Sequence, residues 1–107
     1  MVDPVQARDF RGVSVTWRRH GYERHLKKRP EIADWHAAIG KTLAEPEVVA
    51  EFADRAWGYY RRSVLPRKYG DLYLLVVVRW IGAQGEIATA FPTDRIKPFN
   101  HLVQVRK

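Results

Sequence analysis

The chain has 107 residues, no cysteine and a formal charge of +7, which allows one domain around a single core and excludes a disulfide frame, a thiolate nucleophile and a cysteine-bound zinc. The charge is segregated: residues 1–30 carry +5, residues 31–54 carry −5 and residues 55–107 carry +7. If the basic flanks meet in space they form a cationic face suited to a polyanion, while a basic surface with no nucleic-acid partner accounts for the total equally well. The N-terminal stretch lacks the apolar core of a signal peptide and the longest apolar run is far short of a membrane span, so a cytoplasmic protein without a membrane partner is expected.

Residues 1–12 are polar, contain Pro4 and Gly12, and are expected to form a leader with little structure, so that residues 13–107 make the single domain. Val13-Ser14-Val15-Thr16-Trp17 alternates as a short strand with its valines and tryptophan on one face. Tyr22 and Leu26 at i and i+4 then predict a first helix that Pro30 stops. That helix carries Arg24-His25-Leu26-Lys27-Lys28-Arg29, a titratable imidazole among four fixed cations. If helical geometry reaches Arg29, that side chain and His25 lie one turn apart on one face, where an imidazole near its ordinary pKa and a forked guanidinium suit a phosphodiester.

Pro30 can also open a second helix, in which Ile32, Trp35, Ile39 and Leu43 recur at helical spacing and His36 borders the stripe as a boundary or core histidine. Val48, Val49 and Phe52 fit a short helix or a strand. Trp57 to Leu65 has the aromatic and β-branched content of a strand ended by Pro66. Leu72 to Ile81 is apolar on both faces until Arg79, as in a central strand, and a glycine-flanked turn at residues 82–85 leads into Glu86 to Phe91. Residues 94–98 read as a connector and residues 101–105 as a last edge strand. The order predicts an α+β fold with two N-terminal helices packed on one side of a roughly four-stranded antiparallel sheet.

His25-Leu26 followed by Arg29-Pro30-Glu31, an amphipathic helix, Pro46-Glu47-Val48, Tyr59-Tyr60-Arg61, the run Leu74 to Val78 and Ile87-Ala88-Thr89-Ala90-Phe91 together resemble the small phage-associated and toxin-type nuclease domains grouped as barnase, EndoU, colicin-type tRNases and RelE. The resemblance spans residues 13–98. It implies two helices on a four-stranded antiparallel sheet and metal-independent RNA cleavage with no cofactor. The second histidine of the family's Arg-His-Pro-Glu pattern is absent, because Arg29 runs directly into Pro30.

Such cleavage needs a base for the ribose 2′-hydroxyl, cations for the charge growing on phosphorus and an acid for the leaving oxygen. The resemblance implies that His25 is the acid or base, that Arg29 and Arg79 hold the phosphate, and that Thr89 bonds a phosphate oxygen or the 2′-hydroxyl. Tyr59 and Tyr60 occupy adjacent positions, so at most one of them can donate a proton or stack on a base. The second proton-transfer group is left open among Tyr60, Lys28 and His20. The commoner reading of Arg79 is a stem that snorkels out of the core, and half-buried packing accounts for Thr89 nearly as well.

Two functions compete with a third. A toxin-like or effector ribonuclease would cut tRNA or mRNA and be restrained by an acidic antitoxin or immunity protein. A non-catalytic module would hold RNA or DNA through Arg24, Lys27, Lys28, Arg29, Arg61 and Arg62 with aromatic stacking. A protein-interaction domain would use the charge asymmetry for a protein partner. The spacing of His20, His25 and His36 matches no zinc pattern, and the turn at residues 82–85 sits between strands rather than ahead of a helix, so neither a metal nor a phosphate loop is expected.

Overall fold

The computed structural model describes residues 3–53 and 55–105, apart from the side chain of Gln104. Its first turn is built by Asp9. One carboxylate oxygen accepts the backbone N–H groups of Arg11 and Val13 at 2.9 and 3.1 Å, and Gly12, at φ +83°, closes the turn where a side chain would be strained. This joins β1 (Val5–Arg8) to β2 (Ser14–Trp17) as an antiparallel hairpin, with Val5 opposite Trp17. The leader expected to carry little structure therefore contributes an edge strand; residues 1 and 2 lie outside the described residues.

The first helix, α1 (Arg19–Lys28), buries Tyr22 against Trp17, ring to edge at 5.3 Å. Its last turn is basic, the favourable sign at the negative end of the helix dipole. The single second helix expected from Pro30 onward is two pieces: a 3-10 helix over Pro30–Asp34 and, after a break at Trp35, α2 (His36–Ala44). Its apolar stripe survives the break. Ile32, Trp35, Ile39 and Leu43 are all buried, each contributing about 1.5–3 kcal/mol of apolar burial relative to exposure.

Four further strands follow: β3 (Val48–Ala53), β4 (Ala56–Arg62), β5 (Tyr73–Ile81) and β6 (Gln84–Thr93), and the edge strand β7 (His101–Val105) closes the series. The order across the sheet is β1-β2-β6-β5-β4-β3-β7, antiparallel throughout except for the parallel pair β2 and β6. The expected four-stranded antiparallel sheet is thus overturned: the fold is α+β, but the sheet is mixed and has seven strands. The physical reason is the Asp9 turn, which ties β1 to β2, together with the pairing of β2 against the start of β6 at Val15 and Gly85. Gly85 permits that pairing, since a Cβ there would stand 2.7 Å from Val78 and 3.1 Å from Val15.

The helices lie on one face of this wide sheet. Val15, Tyr59, Val76 and Ile87 meet the apolar stripe of α2 in one cluster. On the other face Tyr60 and Leu75 pair across strands and are also buried. Their cover is the connection from β6 to β7, which crosses the sheet beneath the strands: the Lys97 backbone N–H donates to the Tyr60 hydroxyl at 2.9 Å, and Asn100 bonds the carbonyls of Phe52 and Glu51 at 2.8 Å. Among the described residues no helix is long and apolar enough to cross a membrane.

Candidate nucleic-acid interface

The basic end of α1 comes first. The Nδ1 of His25 lies 3.0 Å from the carbonyl oxygen of Gly21, one turn earlier. A carbonyl only accepts, so Nδ1 carries a proton in this contact and Nε2 is the nitrogen left for another partner. The ring also packs edge-on against Trp17 at 5.5 Å, which fixes its orientation. Arg24, Lys27 and Lys28 are exposed around it and share one shallow depression with it.

Arg29 departs from the expected arrangement. Its backbone N–H still closes the helix on the His25 carbonyl at 2.8 Å, but its φ of −137° has left helical geometry because Pro30 follows. The side chain consequently turns away toward the sheet, and its guanidinium carbon lies 5.9 Å from the centre of the Phe91 ring. The Lys97 ammonium lies 5.7 Å from that same ring. Two cations from opposite ends of the chain thus converge on one half-buried aromatic, within range of the attraction between a cation and a ring face.

Register places the rest of this surface. Phe91 pairs with Leu75, Thr89 with Val77, and Arg79 with both Ala56 and Glu86; alternation then puts Phe91, Thr89, Arg79 and Tyr60 on the helix-free face. Tyr73 stands edge-on to Tyr60 at 5.8 Å, and the Arg62 guanidinium covers the Tyr73 ring at 5.0 Å while lying 3.5 Å from a Glu47 oxygen. Of the five residues expected to be catalytic, Arg79, Thr89 and Tyr60 therefore share a face, and Arg29 reaches the Phe91 ring from the end of α1. His25 stands apart, with its ring contacts in the helix layer.

The tyrosine pair splits as strand alternation requires. Tyr59 is buried under the helices and its hydroxyl donates to Asp9 at 2.8 Å; burial first, then that hydrogen bond and the Asp9 charge, push its pKa far above the ordinary tyrosine range. Tyr60 is buried on the other face, and burial outweighs the Lys97 N–H to raise its pKa as well. A phenol held protonated under a covering segment is a poor proton donor to RNA. Arg61, on the helix side, donates to the Glu45 carbonyl at 2.6 Å, so its expected partner surface is not the one Arg62 serves.

Sequence reasoning passed over Phe91, Tyr73 and Lys97 as site residues. Phe91 and Thr89 have the same phase in one strand, which was a usable signal; Lys97 lies in what reads as a plain connector. His36 is exposed, and its Nε2 lies 2.6 Å from the Tyr22 hydroxyl. Burial raises the Tyr22 pKa. The contact between the two side chains ties α1 to the start of α2.

Compared with family models, curated proteins and solved structures, the chain matches none.

Proposed function

We propose that this protein binds single-stranded RNA along a surface running from the basic end of α1 across Phe91 to Lys97 on the helix-free face. The observation that carries the reading is the convergence of Arg29 and Lys97 on the Phe91 ring. Cations in the last turn of a helix are favourable with no ligand present, which accounts for Lys27 and Lys28. It does not account for a guanidinium and an ammonium gathered over one sheet aromatic. Single strands are held by this combination of ring faces for bases and fixed cations for the backbone.

Fluorescence polarisation with a labelled RNA dodecamer tests the proposal. Phe91→Ala is expected to weaken binding about tenfold, the value of roughly one stacked base, and Arg29→Ala with Lys97→Ala to weaken it further. Unchanged affinity in both the single and the double variant refutes the assignment of the surface.

A second reading, metal-independent ribonuclease, is favoured by the placement of His25, whose Nε2 has no hydrogen-bond partner among the described residues and which lines a depression together with Arg24, Lys27 and Lys28. An imidazole held among cations can exchange a proton with a 2′-hydroxyl while the cations steady the phosphate. Its test is incubation with total RNA in excess EDTA: cleavage leaving 2′,3′-cyclic phosphate, lost in His25→Ala, supports the reading. Intact RNA that is nevertheless bound leaves a binding module, and an acidic inhibitor protein is then no longer required by the chemistry.

A further inference from the structure

We infer that the chain pairs with a second copy of itself along β7, each copy adding its edge strand antiparallel to the other's so that the two sheets run into one. The inference is independent of RNA binding. Among the described residues β7 is the last strand of the sheet, with β3 its one neighbour. Glu51 of β3 turns its carbonyl toward β7, where the Asn100 N–H donates to it at 2.8 Å. Backbone groups alternate sides along a strand, so Ala50 bonds β4, and Leu102, opposite Ala50, directs its own N–H and carbonyl away from β3. An outward row of backbone donors and acceptors is completed by another extended strand.

The side chains at this edge are those of a covered surface. The large apolar side chains exposed among the described residues are Ile81, Phe99, Leu102 and Val105, and three of these fall at residues 99–105. A bulge at Val103 places Leu102 opposite Ala50 and Val105 opposite Val48, so the two exposed side chains share a face although three residues separate them. Edges that face water are ordinarily blunted by lysine, proline or charge, and β7 carries no proline and no fixed charge. The opposite edge differs. β1 buries Val5 and ends on the exposed Arg8.

Symmetry and charge select a second copy as the occupant. Antiparallel pairing of a strand with itself is two-fold symmetric, so one surface serves both partners. It sets Leu102 of each copy opposite Val105 of the other on one face. Because β7 holds no fixed charge, the pairing brings no like charges together within the ladder in spite of the +7 on each chain. It also runs the end of each β7 to the start of the other. That start lies beside Glu51, which makes no ion pair among the described residues, and the sequence continues after β7 into Arg106 and Lys107. Acid and base therefore meet at both ends of the shared ladder.

Sedimentation velocity of the full chain over the micromolar range tests the pairing. The expected result is a reversible rise to twice the 12.5 kDa chain mass. The rise should be absent in Leu102→Lys, which charges the edge, and in Leu102→Pro, which removes the outward N–H while sparing the bonds to β3. Far-ultraviolet circular dichroism of both variants should match the parent. Amide hydrogen exchange on the unaltered chain gives a reading that does not depend on the variants, and decides alone if they unfold: the Leu102 amide should exchange more slowly in concentrated than in dilute protein. A chain that stays monomeric throughout overturns the inference. So does a dimer that both folded variants leave intact, assembly beyond the dimer, or concentration-dependent protection that misses Leu102.

Discussion

The Tyr59 hydroxyl donates a 2.8 Å hydrogen bond to Asp9 across a separation of 50 residues, and both side chains are buried. Asp9 is also bound by the backbone N–H groups of Arg11 and Val13 and by the Arg11 guanidinium at 2.8 and 3.0 Å. Arg11 in turn lies over Trp57 and Trp80 at 4.4 and 4.8 Å. One carboxylate thus fastens the first hairpin to the centre of the sheet.

Removing that carboxylate leaves a buried phenol without an acceptor and frees the turn. Asp9→Ala is expected to cost about 3 kcal/mol, and Tyr59→Phe about 1 kcal/mol because it removes donor and need together. Urea unfolding measures both. In the double variant the two costs should fall short of their sum, since they share one interaction; full additivity would show that the bond does not couple the hairpin to the sheet.

Alkaline pH should unfold the protein through its buried phenols. The pKa values of Tyr59, Tyr60 and Tyr22 are all raised in the folded state above the ordinary 10.0. Above about pH 10 the unfolded chain releases protons that the folded chain keeps, so fewer protons are bound in the unfolded state and stability falls as pH rises. Their contribution is complete below pH 10 and is lost above it, at up to about 1.4 kcal/mol per pH unit for each tyrosine. Urea midpoints at pH 8, 10 and 11 should decline, and Tyr59→Phe should flatten the decline; a midpoint that is level over that range contradicts the burial of these groups.

Gly58 is required by contact. A Cβ there would collide with the Phe52 ring and stand 3.0 Å from a Leu75 methyl. Gly58→Ala is expected to destabilise by about 1–3 kcal/mol through overpacking, whereas Gly40→Ala, which meets nothing within 4 Å, should stabilise α2 by about 0.5–1 kcal/mol through helix propensity. Thermal denaturation of the two variants should move the midpoint in opposite directions.

Salt provides a check on Lys97. Each phosphate neutralised on a single strand contributes about −0.7 to the slope of log affinity against log salt. Lys97→Ala should make the RNA slope shallower by about that amount. An unaltered slope would place Lys97 outside the path of the backbone and leave its contact with Phe91 as packing.

Much of the element order was legible because it depends on local spacing. Val15 and Trp17 alternate, Ile32, Trp35, Ile39 and Leu43 recur at helical spacing, and residues 73–81 carry the apolar run of a central strand; all of these elements form where the patterns place them, apart from the break at Trp35. The leader was misread because Val5 to Arg8 is too short to show its own alternation above the polar residues around it, and because the Asp9 turn acts through side-chain bonds. Among the site residues, the cationic end of α1 was legible as composition. The departure of Arg29 toward Phe91 was not, since it depends on Pro30 altering the backbone and on which strand lies within reach.

By itself the sequence determined the element types, the apolar stripe of the helical region and the presence of a basic, histidine-bearing segment, because propensity, periodicity and charge are properties of neighbours along the chain. Only the tertiary structure decided that β1 and β2 extend the sheet to seven mixed strands, that Tyr59 and Tyr60 are both buried on opposite faces, and that Arg29 and Lys97 share one ring. Those are contacts between distant residues, chosen by which apolar faces can be buried together, by the room that Gly58 and Gly85 leave for close packing, and by one buried carboxylate.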